Sequence, residues 1–392
     1  MYPRFYKSLD KGSFFLLGPR STGKTTWLKN TLNDAFVLDL LHSDTARRLL
    51  ASPSRLRGMI PPEYKQIVID EVQKIPELLD EVHRLMEKDK LDFILTGSSA
   101  RKLKRGGANL LAGRAIVRSF HPLTCWELGA DFKLDHALKW GMLPRVWTHD
   151  NPSDFLATYV HTFLKEEVFA EGLTRNLHAF SRFLEICSFS QAQPLSMANI
   201  AKDVDIDPKV VAGYFELLED MLLGIRLPVF SRKAKRRMSK HHKFFLFDAG
   251  VYKSIRPKGP LDHIGDIDGP GLETLFLQHY RALSEQKRWD QQLYFWRTAS
   301  SHEVDFVSYG SEGLFAFEIQ RSPVVSSSNL DSLRLFLADY PVAKAFMLYG
   351  GTEHFRQDNI ECIGFEEGLK KLPELFGTSL KTRRAPARSS RP

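Results

Sequence analysis

Cysteine is scarce in this chain, with only Cys125, Cys187 and Cys362 among 392 residues. Their odd number and wide separation exclude a disulfide framework and the short spacings of zinc sites, so buried thiols are expected. Long apolar runs are missing too. No stretch approaches the roughly 18 residues of a membrane helix, and the opening MYPRFYKSLDKG lacks the apolar centre of a secretory signal, so no membrane partner and a cytoplasmic location are expected. Acid is absent from one stretch: between Arg226 and Lys243 lie eight Lys or Arg and no Asp or Glu, and five more cations follow from Lys381 onward. Without those thirteen, 42 basic side chains face 47 acidic ones, so the net charge of +8 sits in two places suited to phosphates. What remains is ordinary globular material, 43% apolar and 26% charged, long enough for two or three folded units.

The most informative segment is near the start. Ser13 to Leu17 reads as a buried strand, and it runs into Gly18-Pro19-Arg20-Ser21-Thr22-Gly23-Lys24-Thr25, with a helical pattern from Thr26 to Leu32. In this spacing the glycines let backbone N–H groups wrap phosphates, Lys24 reaches the outer phosphates and the Thr25 hydroxyl binds Mg2+. The P-loop therefore points to ATP. Gln66 to Glu71 is an apolar strand ending in two carboxylates, where Asp70 would hold the Mg2+ through water and Glu71 would activate the attacking water. A third strand, Leu91 to Thr96, places Thr96 as a γ-phosphate sensor. Helical segments between the strands, such as Pro76 to Glu87, call for parallel pairing with ligand at the carboxyl ends.

The runs GPRSTGKTT, IVIDEVQK, FILTGSSA and LAGRAIVRSFHPLTCWEL resemble prokaryotic AAA+-type ATPases that carry a C-terminal domain of unknown function. The resemblance implies that Arg114 acts near the γ-phosphate, either in its own site or in a neighbouring subunit's, the latter implying a homo-oligomer; the other reading has Arg114 pairing a carboxylate to hold the fold. Arg20 and Arg145 are weaker phosphate candidates. In that family a second glycine and an acid stand around the later site, so Arg145 is a departure.

Ser153 to Ala170 and Arg175 to Phe189 read as helices, with Phe155, Tyr159, Phe163 and Leu164 on one face. Leu195 to Val204 and Pro208 to Leu222 then form a helix-turn-helix, its boundaries marked by Asp207, Pro208 and Gly224. Ile225 to Phe230 and Lys243 to Asp248 are expected as strands of a wing carrying Arg232, Lys233, Lys235, Arg236 and Arg237. Such a wing suits a nucleic-acid backbone, with DNA as the expected partner. The second helix offers apolar and acidic side chains, which suit protein contact, and both readings stand. His241 and His242 are expected at solvent or phosphate, not at a metal.

The Gly/Pro-rich stretch from Asp266 to Gly271 reads as a linker. Beyond it the order is αβββαβ, with Glu273 on the helix, Asp305 on one strand and Glu318-x-Gln320 on the next, which looks like the PD-(D/E)xK nuclease core. The resemblance implies a second Mg2+ between Asp305 and Glu318, with Glu273 reaching it through water. Gln320 stands where the pattern has Lys and removes a charge. The expected fold class is α/β: a P-loop NTPase parallel sheet (1–150), a helical winged-helix unit (151–262), an α/β nuclease-like domain (263–376) and a basic disordered tail (377–392). Three functions follow: an ATPase acting on nucleic acid, a nucleotide-switched protein-interaction module, and an ATP-gated nuclease.

Overall fold

The computed structural model describes residues 2–6, 12–99, 115–164, 168, 176–232, 234–239, 241–260 and 262–377. Arg114, Lys233 and the tail from 378 onward lie outside them.

Five short strands, β1 (Phe14–Leu17), β2 (Phe36–Asp39), β3 (Gln66–Asp70), β4 (Asp92–Gly97) and β5 (Ile116–Ser119), form one sheet in the order β2-β3-β4-β1-β5. Every pairing in it is parallel. Successive side chains of a strand point to opposite faces, so a sheet covered on both sides needs near-continuous apolar strands. Phe14, Leu16, Val68 and Ile94 accordingly pack with Trp27 and Leu28 of α1 (Lys24–Thr31). Phe15, Leu17, Ile67, Ile69 and Leu95 face the other way, toward Leu49 of α2 (Ser43–Ala51) and Val82 and Leu85 of α3 (Leu78–Lys88). The registers Leu17 with Gly97 and Ile69 with Leu95 bring Gly18, Asp70 and Thr96 to one end of the sheet.

A helical region follows. Beyond α4 (Leu134–Trp140), a helix at Pro152–Thr158 continues as a π-helical turn, Tyr159–Leu164. Phe155 and Tyr159 are buried as the aromatic stripe requires, while the side chains of Phe163 and Leu164 are outside the described set. Helices α5 (Leu177–Phe189), α6 (Met197–Val204) and α7 (Pro208–Asp220) each begin on a capping side chain, Asn176, Ser196 and Asp207. Each cap satisfies an N–H that has no partner inside its helix. The buried face of α7, including Tyr214 and Phe215, stacks edge-on against Phe180, Phe183 and Phe244.

Strands β6 (Gly224–Leu227) and β7 (Lys243–Leu246) pair antiparallel, as the wing reading expects. The basic segment between them does not stand free. Its backbone lies along β8 (Gln291–Arg297), with Phe230 N donating to Phe295 O at 2.7 Å and Ser239 N to Arg297 O at 2.9 Å. β8 is the last strand of its sheet, so its outer N–H and C=O groups need partners, and this segment supplies them. Phe230 anchors it between Tyr294, Tyr309 and Tyr340.

Helix α8 (Ala249–Ile255) leads to α9 (Ile264–Lys287). The residues expected to be a linker, Asp266 to Gly271, are helical, with Pro270 inside α9. Asp268 pairs with Lys253 at 2.5 Å and with Arg321 at 2.9 Å. A Cβ on Gly271 would meet Leu138 of α4 at 2.8 Å, so the small residues serve close helix packing. Tertiary contacts here override local propensity. The rest of the αβββαβ order is present: β8, β9 (Glu303–Gly310), β10 (Gly313–Gln320), α10 (Asp331–Asp339) and β11 (Lys344–Tyr349). An additional hairpin, β12 (Phe355–Gln357) and β13 (Ile360–Gly364), extends a mixed sheet ordered β12-β13-β11-β10-β9-β8. All three cysteines are buried free thiols.

Asp248 joins these parts. It is fully buried and caps α8 through Gly250 N at 2.9 Å and Val251 N at 3.0 Å, while also accepting from Met142 N at 2.7 Å. Asp248→Ala is expected to cost about 2–4 kcal/mol, a lost cap plus an orphaned buried N–H. Urea denaturation measures it, and a loss below about 1 kcal/mol would mean that water replaces the carboxylate.

Candidate functional site

At the carboxyl end of the parallel sheet, the chain leaves β1 through Gly18, whose N–H donates to Gly97 O at 3.2 Å. A Cβ there would lie 2.2 Å from Phe120 O, so only glycine fits. The loop turns through left-handed Ser21 (φ 64°) and Gly23 (φ 92°) into α1. Thr22 Oγ1 ties it internally, donating to Pro19 O at 2.8 Å. Lys24 is 5% exposed, and its ammonium donates to Gly18 O at 2.7 Å and Pro19 O at 3.1 Å, inside the loop. Thr26 follows in the first turn of α1.

The carboxylates stand opposite. Thr25 Oγ1 donates to Asp70 Oδ2 at 2.7 Å, and Thr96 Oγ1 donates to the other oxygen, Asp70 Oδ1. Glu71 N in turn donates to Thr96 Oγ1 at 3.1 Å. Glu71 adopts a left-handed backbone (φ 62°), uncommon for a residue with a side chain and a usual mark of a constrained site. Its carboxylate accepts from Gln73 Nε2, which also donates to Ser98 Oγ at 3.0 Å. Lys24, Thr25, Asp70, Glu71 and Thr96 are thus assembled in one place. Thr25 and Asp70 present hard oxygen donors side by side, a set that fits Mg2+.

Two residues without a sequence signal complete this corner. Arg4 Nη1 donates to Thr22 O at 2.6 Å and Arg4 Nε to Glu127 Oε1 at 2.9 Å, clamping the loop from the N-terminal segment. Tyr159 OH donates to Arg20 O at 3.3 Å, so the helical region touches the loop. Beside α1 a cavity of about 550 Å3 is lined by Tyr2, Arg4, Tyr6, Trp27, Pro144 and Arg145. Arg145 belongs to this largely apolar wall and lies over the Phe155 ring, 6.0 Å from its centre.

The second acidic set is built differently. Glu273 on α9, Glu303 and Asp305 on β9 surround a lysine, Lys243 of β7, at 3.3, 2.5 and 3.2 Å. Lys243 is 1% exposed. Burial alone would lower its pKa, but the carboxylates of Glu273, Asp305 and Glu303 raise it, so it stays charged. Burial first, then Asp305, raises Glu273 to about 8 and Glu318 well above the carboxylate range. Glu318 Oε2 is buried without a hydrogen-bond partner. Among the described residues no group of three or more His, Cys, Asp or Glu is arranged to hold a metal ion. Asp305, one of the pair expected to hold a second Mg2+, is met by the Lys243 ammonium instead. On the basic segment, Arg232, Lys235, Arg236 and Arg237 are exposed, with Arg236 also pairing Asp339 at 2.9 Å.

Comparison with known proteins divides the chain in three. Residues 10–129 match the AAA domain family, 131–262 a domain of unknown function (DUF8612) and 268–367 another (DUF4143). The N-terminal region is P-loop ATPase-like. The uncharacterized proteins Rv2008c of Mycobacterium tuberculosis and Mb2031c of Mycobacterium bovis are each 26% identical over 364 residues, spanning 90% of this chain and 80% of theirs. A solved structure titled "Structure of a Type III CRISPR defence DNA nuclease activated by cyclic oligoadenylate" is 11% identical, covering 95% of this chain and 53% of that one, about half its length, at a TM-score of 0.21. No helix among the described residues is long and apolar enough to cross a membrane.

Lys243→Met leaves buried carboxylates uncompensated and is expected to cost about 3–5 kcal/mol at pH 7. A carboxyl whose pKa is raised to about 8 from 4.5 favours the folded chain at low pH, and that contribution is lost as pH climbs through about 8. The Lys243 ammonium holds Asp305 and Glu273 down against their burial, so without it these carboxyls take up protons as pH falls, and the penalty of the substitution is smaller at pH 5 than at pH 7. Urea denaturation at both values decides it, and equal penalties would mean that the cost is lost packing, not charge.

Proposed function

We propose that this chain binds ATP with Mg2+ and hydrolyses it, and that the cycle is passed to the helical and C-terminal regions. The observation that carries the reading is the hydrogen-bonded chain Thr25–Asp70–Thr96–Glu71 set opposite a glycine loop with Lys24 at its centre. Gly18, Pro19, Arg20, Ser21, Thr22 and Gly23 present the loop backbone to the phosphates, and the start of α1 adds its favourable dipole. Lys24 exchanges its loop carbonyls for the outer phosphate oxygens. Thr25 and Asp70 hold the Mg2+, whose charge offsets that of the phosphates. Glu71, aimed by Gln73 and Ser98, takes the proton of the attacking water, and Thr96 marks the γ-phosphate. The apolar cavity with Tyr2, Tyr6 and Trp27 suits the adenine end.

Transmission follows contacts already described. Tyr159 of the helical region reads the loop at Arg20, and Lys243 of the same region sits in the carboxylates of the C-terminal fold. The exposed cations Arg232, Lys235, Arg236 and Arg237 favour nucleic-acid backbone, DNA in particular, as what the cycle acts on. The exposed Glu216 and half-buried Glu219 and Asp220 on the outward side of α7 speak against reading bases with that helix. Lys243 inside the acidic set weighs against metal-dependent nuclease chemistry.

Glu71→Gln is expected to lower Mg-dependent ATP turnover by about 10²–10⁴-fold while ATP still binds. DNA should accelerate the wild type, and the acceleration should fade as salt rises. If turnover survives Glu71→Gln, the assignment of the base is wrong. Turnover indifferent to DNA at every salt concentration would transfer the partner role to a protein.

A further inference from the structure

Away from the P-loop, a cavity of about 510 Å3 opens where β5, β6, α9 and β8 meet. Its wall carries Arg118, Arg226, Arg281 and Arg288 against one carboxylate, Glu285. Glu285 lies 3.7 Å from Arg118, and Arg226 leans on Glu219 at 3.1 Å from outside the wall. Cations converge here in excess of the acids that line the space. Burial, with Arg281 and Arg4 nearby, holds the neighbouring His121 neutral, well below the usual histidine range.

A second observation is how far these cations are withdrawn from water. The Arg118 side chain is 13% exposed, and burial lowers the pKa of Arg281. Charges shielded from solvent are screened little by salt, and crowded guanidiniums repel one another. An anion offering oxygens to several of them relieves that repulsion.

We propose that this cavity binds a compact phosphate ester, of the nucleotide or sugar-phosphate class. The volume falls within the range of small-ligand sites. The guanidiniums gather around one space instead of following a stripe, which is the geometry for a small polyanion and not for a run of nucleic-acid backbone. Fork-shaped guanidinium groups match phosphate oxygens two at a time. The wall takes β5 from the ATPase-like sheet, β6 from the helical region, and α9 and β8 from the C-terminal fold. An occupant would therefore touch all three regions.

The test uses the full chain carrying Lys24→Ala, so that the P-loop does not compete, and it does not depend on the P-loop reading. Calorimetric titration with inorganic pyrophosphate and with ADP, without Mg2+, is expected to give one saturable site. Arg281→Gln should weaken it at least about tenfold, or ~1.4 kcal/mol. Arg288→Gln, a second lining cation, should weaken binding as well while both variants keep the wild-type melting temperature, an outcome that misfolding does not produce. ADP binding tighter than pyrophosphate would show that the organic part is read, and equal affinities that the phosphates carry recognition; both uphold the site. The proposal is overturned by the absence of saturable binding, by affinity unchanged in Arg281→Gln, or by a short single-stranded DNA that binds more tightly than either probe.

Discussion

A single buried ammonium sets how the later part of the chain holds together. Lys243 leaves the β6–β7 pair and ends among Glu273, Glu303 and Asp305, which belong to α9 and β9. Neither side of that contact tolerates isolation, since ions out of water need their partners. The lysine therefore specifies which face of the C-terminal sheet meets the helical region. The Gly271 approach to α4, the Asp248 cap and the segment along β8 extend the same junction.

How much of this was readable in advance depended on distance along the chain. The P-loop, the Asp70–Glu71 strand end and Thr96 were legible because each is a short contiguous pattern whose backbone geometry follows from its own residues. The sheet's parallel pairing followed from helices between strands. Arg4 was not legible, since its partner Glu127 is 123 positions away, and neither was Lys243, with Asp305 62 positions on. Nothing in a strand reading KFFLFD announces that its first side chain points into acid. The glycines and proline near 270 misled because their local preference for irregular backbone is weaker than the ion pairs of Asp268 and the packing against Leu138.

Gln320 takes on a different meaning in this setting. Read alone it is a missing lysine in a nuclease-like pattern. In the fold the acidic strands do have a lysine, but it arrives from another region and is held by three carboxylates. The cation of the acidic set thus comes from β7, and the set is tied to the position of that strand as much as to its own sheet.

The basic segment along β8 also has a consequence for the chain's behaviour in crowded solution. An open sheet edge is a template onto which strands of other molecules can add. Here that edge is occupied by the chain's own backbone, and the occupying stretch turns exposed arginines and a lysine outward. Any event that lifted it away would uncover unpaired backbone groups and carry off the charges beside them at once.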